Sequence, residues 1–267
     1  MPSGQPFGAL PDVLRAERID QVAVLALARP AKRNALTDEM VLGIGSFLDH
    51  LDPEVKAVII EADGDHFCAG LDLNEMTGRD AISGLEHSRR WHRVFEQIEF
   101  GRVPVVAALK GAVVGGGLEL AAAAHIRVAE ESAFYALPEG QRGIFVGGGA
   151  SVRVPRLIGT HRMIDMMLTG RRYEAAEGQA IGLSQYVVPA GTGRKTALDL
   201  ARRIAGNAPQ SNYAIVQALP RIAQANPREG FMMESLMAGI TQATDDAKGR
   251  MQNFLSGRAP KVTDDPR

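Results

Sequence analysis

Two glutamates, Glu119 and Glu139, stand in segments whose composition could support acid–base chemistry. Glu119 follows glycines 115–117 and precedes a run of alanines, whereas Glu139 follows Pro138 in a predicted loop after a short strand. One carboxyl group can accept a proton while a second donates one, provided that burial or a like charge keeps the second neutral near pH 7. An isolated loop glutamate is more often a solvated surface group, so this pair needs support from the segments around it.

Three glycine-containing segments can present backbone N–H groups to a ligand. Gly70, within residues 66–73, permits an unusual backbone conformation that would point the Leu71 N–H into a cleft. Residues 111–120 lead from a strand through glycines into a helix, whose free N–H groups would favour an anion. Close packing explains such a glycine run equally well, and its spacing matches neither the dinucleotide fingerprint nor the P-loop. Residues 147–149 predict another loop that leads into a helix.

The elements that must position these segments alternate between apolar runs and helical periodicity up to about residue 190. Thr37 is placed to cap a helix that begins at Asp38, and a second helix is predicted over residues 87–98, before Pro104. The alternation predicts an α/β fold with crossover connections. The predicted strands cover residues 22–27, 58–60, 105–109, 126–129 and 185–188.

The pattern changes to helices alone from residue 193 onward. We therefore predict an α/β core over residues 1–192 and a helical region, suited to oligomerisation, over residues 193–267. Apolar side chains at helical spacing on the last segment predict packing or a subunit interface. These side chains are Met232, Met233, Leu236, Met237 and Ile240, and the predicted helices cover residues 194–205, 211–222 and 228–255.

The composition argues against several classes of function. The chain of 267 residues has 30 basic and 31 acidic residues, a formal net charge of -1, which does not indicate a nucleic-acid partner. A single cysteine, Cys68, predicts a reducing, cytoplasmic compartment. No export signal and no membrane span are predicted. The histidines lack a recognised ligand spacing, so no metal site is predicted either.

Four segments closely resemble the crotonase superfamily in order and spacing: residues 29–36, 67–73, 115–120 and 138–139. The resemblance covers nearly the whole chain. It implies an α/β fold of the crotonase-like ββα superhelix type with a C-terminal helical region. It also implies an acyl-CoA substrate, no cofactor apart from the coenzyme A of that substrate, and a homotrimer or a hexamer built as a dimer of trimers.

The same resemblance implies roles for particular residues. Hydratases of the superfamily carry glutamates at the positions of Glu119 and Glu139, and the N–H groups of Leu71 and Gly116 would form an oxyanion hole. We expect Glu119 to activate water and Glu139 to donate a proton. Expected coenzyme A contacts are Lys32, Arg33, Ala35, Ala69, Asp72, Leu73, Arg258 and Lys261, and the expected acyl pocket contains Met76, Trp91 and Phe145.

Alternative functions on the same fold remain open at this point. A hydrolase or an isomerase would use the oxyanion hole with different proton transfers. A non-enzymatic, RNA-binding member would need a basic groove, which the nearly neutral composition does not support. Residues 5–11, 111–120, 136–140 and 142–149 further resemble a branch of hydratases whose enoyl-CoA substrate carries a methylthio group on C3.

Overall fold

The structure is a computed structural model that describes residues 7–76 and 78–258. Within them, strands and helices alternate as the sequence predicts, and the α/β class is confirmed. The elements, in chain order, are β1 (Leu14–Ile19), β2 (Val22–Leu27), α1 (Asp38–Asp49), β3 (Ala57–Ala62), α2 (Ala81–Glu99), β4 (Val105–Leu109), β5 (Ala112–Val114), α3 (Gly116–Ala123), β6 (Ile126–Glu130), β7 (Phe134–Ala136), α4 (Ala150–Ile158), α5 (Thr160–Thr169), β8 (Tyr173–Glu174), α6 (Ala175–Ile181), β9 (Tyr186–Val188), α7 (Gly193–Ala205), α8 (Pro209–Ile222), α9 (Pro227–Gln242) and α10 (Asp245–Leu255).

The main sheet has the strand order β1-β2-β3-β4-β6-β9. β1 pairs antiparallel with β2, and the remaining neighbours are parallel. Every residue of β2 and β3 is buried, because both faces of the sheet are covered. Leu25 and Leu27 of β2 belong to the core on one face, whereas Val22 and Val24 belong to the core on the other face.

A smaller sheet has the strand order β5-β7-β8, and each glutamate follows one of its strands: Glu119 comes after β5 and Glu139 after β7. β5 runs parallel to β7 and ends one residue before the glycine that precedes α3. Every residue of α3 is buried, and its alanines allow this close packing. Thr37 caps α1 as predicted, since its side chain accepts a hydrogen bond from the backbone N of Met40 at 3.2 Å.

The chain divides into two compact units, residues 1–205 and 206–267. The sequence-based boundary assigned α7 to the helical region, but Ala197, Ala201 and Ala205 of this helix pack in the core on one face of the main sheet. The predicted long helix over residues 228–255 is in fact two helices, α9 and α10. Thr244 interrupts it, because its side chain accepts a hydrogen bond from Ala247 N at 3.2 Å and caps α10.

No helix within the described residues combines the length and the apolar character needed to cross a lipid bilayer.

Candidate active site

A cavity of about 260 Å³ in the first unit contains both glutamates. It collects seven residues predicted for the site: Glu119, Glu139, Leu71, Gly116, Leu73, Trp91 and Phe145. The remaining lining residues are Gly70, Arg79, Asp80, Gly84, His87, Ser88, Gly115, Arg142, Ile144, Val146, Gly147 and Gly148. The tertiary structure therefore brings together segments that are far apart in the sequence.

Glu119 lies in the first turn of α3, and its side chain is buried. Its Oε1 accepts hydrogen bonds from the backbone N–H groups of Gly148 at 2.8 Å and Ala150 at 3.0 Å. Burial raises the pKa of Glu119, whereas these hydrogen bonds and the charge of Arg153 act in the opposite direction. The protein thus fixes one carboxylate oxygen, and the other is left to act on a ligand.

Glu139 reaches the cavity from the loop after β7, and only 5% of it is exposed. Its Oε2 is buried without a hydrogen-bond partner among the described residues. Burial is the largest cause that raises the pKa of Glu139 to about 7, and the negative charge of Glu119 raises it further. Such a group is roughly half protonated at neutral pH, so its environment suits proton donation.

The backbone N–H groups of Leu71 and Gly116 lie close together at the cavity. A Cβ atom on Gly116 would lie 3.4 Å from the backbone N of Leu71. Each N–H follows a glycine with positive φ, 108° at Gly70 and 52° at Gly115, which other residues rarely adopt. Neither N–H donates a hydrogen bond to another protein atom in the described part of the chain. The pair can therefore receive a carbonyl oxygen of a ligand.

Gly115 also sets how closely Glu139 approaches this pair. A Cβ atom on Gly115 would lie only 2.8 Å from Oε1 of Glu139. Any larger residue would push the carboxyl group away from the N–H groups. The sequence left open whether the glycine run presents N–H groups to a ligand or allows close packing. In the structure the run is compatible with both.

The predicted coenzyme A segments form one continuous rim. Residues 33–36 run beside residues 69–72 through backbone hydrogen bonds, including Ala69 N to Arg33 O at 3.0 Å and Leu36 N to Gly70 O at 2.8 Å. Asn34, which is fully buried, donates to the carbonyl oxygens of Asp63 and His66 and anchors the first segment. Leu71 in this rim carries one of the two paired N–H groups.

The residues predicted to contact coenzyme A differ from one another in exposure and in their protein partners. Lys32 and Arg33 are exposed, and neither forms an ion pair with a described residue. Asp72 instead binds the Arg29 guanidinium at 2.9 Å, and this hydrogen bond lowers the pKa of the carboxyl group. Asp72 therefore organises the rim, a role that the sequence did not suggest.

Ala35 and Ala69 lie on the rim outside the cavity lining. Arg258 belongs to the second unit, where its Nε donates to Ser256 Oγ at 2.9 Å. Lys261 lies outside the described residues, and so does the side chain of Met76.

Sequence reasoning missed a polar group beside the predicted acyl pocket. The Nδ1 atom of His87 lies 2.8 Å from Oδ1 of Asp38, and the same oxygen accepts a hydrogen bond from Trp91 Nε1 at 2.8 Å. Burial lowers the pKa of His87, which favours the neutral ring at pH 7. Helical spacing could have indicated this group. His87 and Ser88 are one turn before Trp91 on α2, so their side chains share the face of Trp91.

We expect Glu139→Gln to stabilise the folded protein above neutral pH. The folded-state pKa of about 7 exceeds the ordinary value of 4.5, so the buried charge lowers stability progressively as pH rises between these two values. Glutamine carries no charge and avoids this loss. The free energy of unfolding should exceed that of the wild type by about 1–3 kcal/mol near pH 8, with the difference shrinking toward pH 5.

Urea unfolding of both proteins at a series of pH values measures this difference. Glu131→Gln, which changes an exposed glutamate, is the matched control and should show a much smaller dependence on pH. A constant difference between Glu139→Gln and the wild type across this pH range would contradict the assignment.

Solved structures define the class of protein to which this fold and cavity belong. A candidate enoyl-CoA hydratase from Rhodopseudomonas palustris CGA009 is 55% identical and covers 96% of this chain and 97% of its own, with a TM-score of 0.90. An enoyl-CoA hydratase from Bacillus anthracis is 30% identical, with 93% and 98% covered and a TM-score of 0.87. The protein is an α/β enzyme with the crotonase fold.

The sequence then assigns the family. The profile of the enoyl-CoA hydratase/isomerase family matches residues 17–265. Enoyl-CoA hydratase EchA19 of Mycobacterium tuberculosis is 32% identical over 255 residues, which cover 94% of this chain and 96% of the relative. The chain belongs to the enoyl-CoA hydratase/isomerase family and is a hydro-lyase, which confirms the predicted superfamily and the enzyme class.

Proposed function

We propose that this enzyme adds water across the 2,3 double bond of a short 2-enoyl-CoA. The observation that carries the proposal is one cavity lined by two buried glutamates and by two backbone N–H groups that have no acceptor among the described residues. The two carboxyl groups have different surroundings. Burial raises the pKa of both, to about 7 at Glu139, but at Glu119 two backbone N–H donors and the charge of Arg153 act against it. The two donors favour the ionised form of Glu119, which suits a base, whereas the raised pKa of Glu139 suits an acid.

In the proposed reaction, the thioester carbonyl accepts hydrogen bonds from the N–H groups of Leu71 and Gly116. Water held by Glu119 attacks C3 and transfers a proton to the carboxylate, while the electron pair of the double bond moves toward the thioester oxygen. Protonated Glu139 then delivers a proton to C2, and the thioester carbonyl re-forms. Each N–H donor contributes on the order of 3 kcal/mol to stabilising the enolate-like charge.

Coenzyme A itself is proposed to lie along the rim formed by residues 33–36 and 69–72. Lys32 and Arg33, which are exposed, are proposed to bind its phosphates, with Arg258 and Lys261 as further proposed contacts. The reaction transfers only protons and water, so we propose that no separate cofactor takes part. We also propose a cytoplasmic enzyme, since Cys68 is a free thiol and fits a reducing compartment.

The finer proposal is that the substrate is methylthioacryloyl-CoA. Support comes from the resemblance of residues 111–120, 136–140 and 142–149 to methylthioacryloyl-CoA hydratase. The cavity is also consistent with a short acyl group that carries a thioether, because its volume is only about 260 Å³ and Trp91, Ile144 and Val146 provide apolar walls. The side chain of Phe145, proposed for the same pocket, is largely exposed.

Hydration of this substrate leads to products that an ordinary enoyl-CoA cannot give. Water added at C3 yields a hemithioacetal, which collapses to an aldehyde and expels methanethiol. Thioester hydrolysis in the same site, with a glutamate activating a second water, would then release coenzyme A and 3-oxopropanoate, and loss of carbon dioxide from this 3-oxo acid gives acetaldehyde.

We expect the enzyme to hydrate crotonyl-CoA and to convert methylthioacryloyl-CoA to methanethiol and free coenzyme A. Product separation by liquid chromatography with mass detection, over a panel of short enoyl-CoA esters, makes the measurement. Glu119→Gln serves as the matched blank. Methanethiol and coenzyme A release no faster than in this blank, together with rapid crotonyl-CoA hydration, would reject the finer substrate and keep the hydratase. An isomerised or hydrolysed product without hydration would reject hydration itself.

We also propose that the protein forms a homotrimer or a hexamer. The second unit exposes large apolar side chains, and Met232, Leu236 and Ile240 recur every four residues on one face of α9. A surface of this kind indicates a protein contact. Light scattering should give the mass of three or six chains, and Leu236→Glu combined with Ile240→Glu should reduce it. A wild-type monomer at micromolar concentration would contradict the proposal.

A further inference from the structure

The position of Glu119 depends on a loop that is distant in the sequence. Gly148 and Ala150 donate their backbone N–H groups to Oε1 of Glu119, and Ala150 begins α4. A Cβ atom on Gly148 would lie 2.9 Å from Oε2 of Glu119 and 3.0 Å from Phe95. The loop therefore packs directly against the carboxyl group. Any movement of its peptide units would move the proposed base.

Arg153 holds this loop from outside the cavity lining. Its Nη1 donates to the carbonyl oxygen of Gly148 at 3.1 Å. A Cβ atom on Gly149, whose φ is 107°, would lie only 2.3 Å from the same nitrogen. Arg153 is 7% exposed and does not line the cavity. Its contact with the site is therefore made through the loop.

Glu99 orients Arg153 in turn. The Nε of Arg153 donates to Oε2 of Glu99 at 2.6 Å, so a single guanidinium binds a carboxylate from α2 and a loop carbonyl at the same time. Arg156 lies 3.8 Å from the other oxygen of Glu99. When Arg153 is replaced, Arg156 still provides a positive charge beside the Glu99 carboxylate. Arg153 can therefore be mutated without leaving Glu99 unpaired.

We propose that Arg153, oriented by Glu99, is a positioning residue for Glu119. It fixes the Gly148 carbonyl and thereby the loop N–H groups that hold the carboxylate. The inference rests on the proposed role of Glu119 as the base. Ser88 supports the same loop, since its hydroxyl donates to the Gly147 carbonyl at 2.6 Å. It also lines the cavity, which makes Arg153 the cleaner residue to test.

The charges around Glu119 determine the sign of the expected effect. Arg153 lowers the pKa of Glu119 against the larger effect of burial, while the ionised form of Glu139 is a nearby negative charge. Burial, followed by the charge of Arg153, lowers the pKa of His92, so this neighbour is favoured in its neutral form at pH 7. Removing the Arg153 charge must therefore raise the pKa of Glu119.

Arg153→Met tests the proposal with a readout that does not depend on activity. The carboxyl carbon of Glu119 can be followed by NMR in protein labelled at glutamate side chains, and the signal missing from Glu119→Gln assigns it. We expect its pKa to rise by about one unit in Arg153→Met. Arg153→Lys keeps the charge and should restore much of the shift. An unchanged Glu119 titration in folded Arg153→Met overturns the proposal, whether or not the wild type hydrates enoyl-CoA.

Kinetics supply the second readout. We expect kcat of Arg153→Met to fall about 10- to 100-fold, with KM changed less than about threefold and the acid limb of kcat/KM displaced to higher pH. Because Arg153→Lys cannot bind Glu99 and Gly148 together, it should lose about 3- to 10-fold in kcat with a smaller displacement. If Arg153→Met does not fold, a wild-type kcat and pH profile in Arg153→Lys overturn the proposal.

Arg127→Met is the matched control for loss of a buried arginine. Arg127 also donates to backbone carbonyls, at Ala124 and Leu183, but it makes no contact with Glu119. Its replacement should lower stability and leave the Glu119 titration and the pH profile unchanged. Equal changes in the Arg127 and Arg153 variants would show a general structural effect and overturn the positioning role.

Discussion

Glu119→Gln is expected to lower kcat by roughly two to four orders of magnitude, the usual scale for loss of a positioned base. Glutamine keeps the size of the side chain but cannot accept a proton from water. Binding should survive, because in the proposed complex the rim and the backbone N–H groups hold the substrate. Steady-state kinetics with crotonyl-CoA and calorimetric binding of butyryl-CoA, a saturated analogue, measure the two effects separately.

Glu139→Gln should cause a loss of similar size, since it removes the proposed proton donor, which burial keeps partly neutral. If both carboxyl groups act on the same water, the double variant should lose less than the product of the two single losses. A single variant with turnover near that of the wild type on the best substrate would contradict the role assigned to that glutamate.

Glu130→Gln is the matched control for both glutamate variants. Glu130 is also buried and also accepts a backbone N–H, from Gly193 at 3.0 Å, but it lies outside the catalytic cavity. Its replacement should cost stability without a large change in kcat. If kcat of Glu130→Gln fell as far as that of Glu119→Gln, the effect of the Glu119 variant would be explained by a general loss of folding.

Gly116→Val is the second prediction with a large effect. The group proposed to act at this position is a backbone N–H, so only its geometry can be altered by mutation. A Cβ atom there would lie 3.4 Å from Leu71 N, Leu36 and Trp91, and the two methyl groups of valine would extend into the same space. We expect kcat/KM to fall by about 10²- to 10³-fold, as for loss of an oxyanion donor.

Gly116→Ala provides a graded comparison, because its single methyl group reaches these neighbours at ordinary contact distance. Its loss should be smaller than that of the valine variant. Gly239→Val, where nothing lies within 4 Å of the new Cβ, controls for valine in a helix. Circular dichroism and thermal unfolding check that each variant folds. A folded Gly116→Val enzyme with full activity would remove this N–H from the mechanism.

Local patterns were sufficient to predict several elements. β2 and β4 have the predicted bounds, and α1 begins at Asp38, directly after its capping residue Thr37. Apolar periodicity and caps depend on neighbours along the chain, so the sequence displays them directly. β1 was missed because half of its residues are charged, as an edge strand permits. The helix predicted after residues 147–149 is α4, which contains Pro155.

Two features of the helical part of the chain could not be predicted from local patterns: the packing of α7 and the break between α9 and α10. The alanines of α7 give little hydrophobic signal, yet their small size lets the helix lie close to the main sheet. Residues 228–255 were predicted as one helical segment, but the side chain of Thr244 caps a new helix within it. Which element covers a given face depends on contacts between segments that are far apart along the chain.

The sequence by itself determined the chemical groups of the site: two carboxyl groups, one in the first turn of a helix, and two N–H groups that follow glycines. Only the tertiary structure decided that they meet in one cavity, that Gly148 and Ala150 hold Glu119, and that Asp72 binds Arg29. It also raised the pKa of Glu139 to about 7. The physical reason is that removing a charge from water depends on all surrounding atoms at once, which the spacing of residues along a chain does not specify.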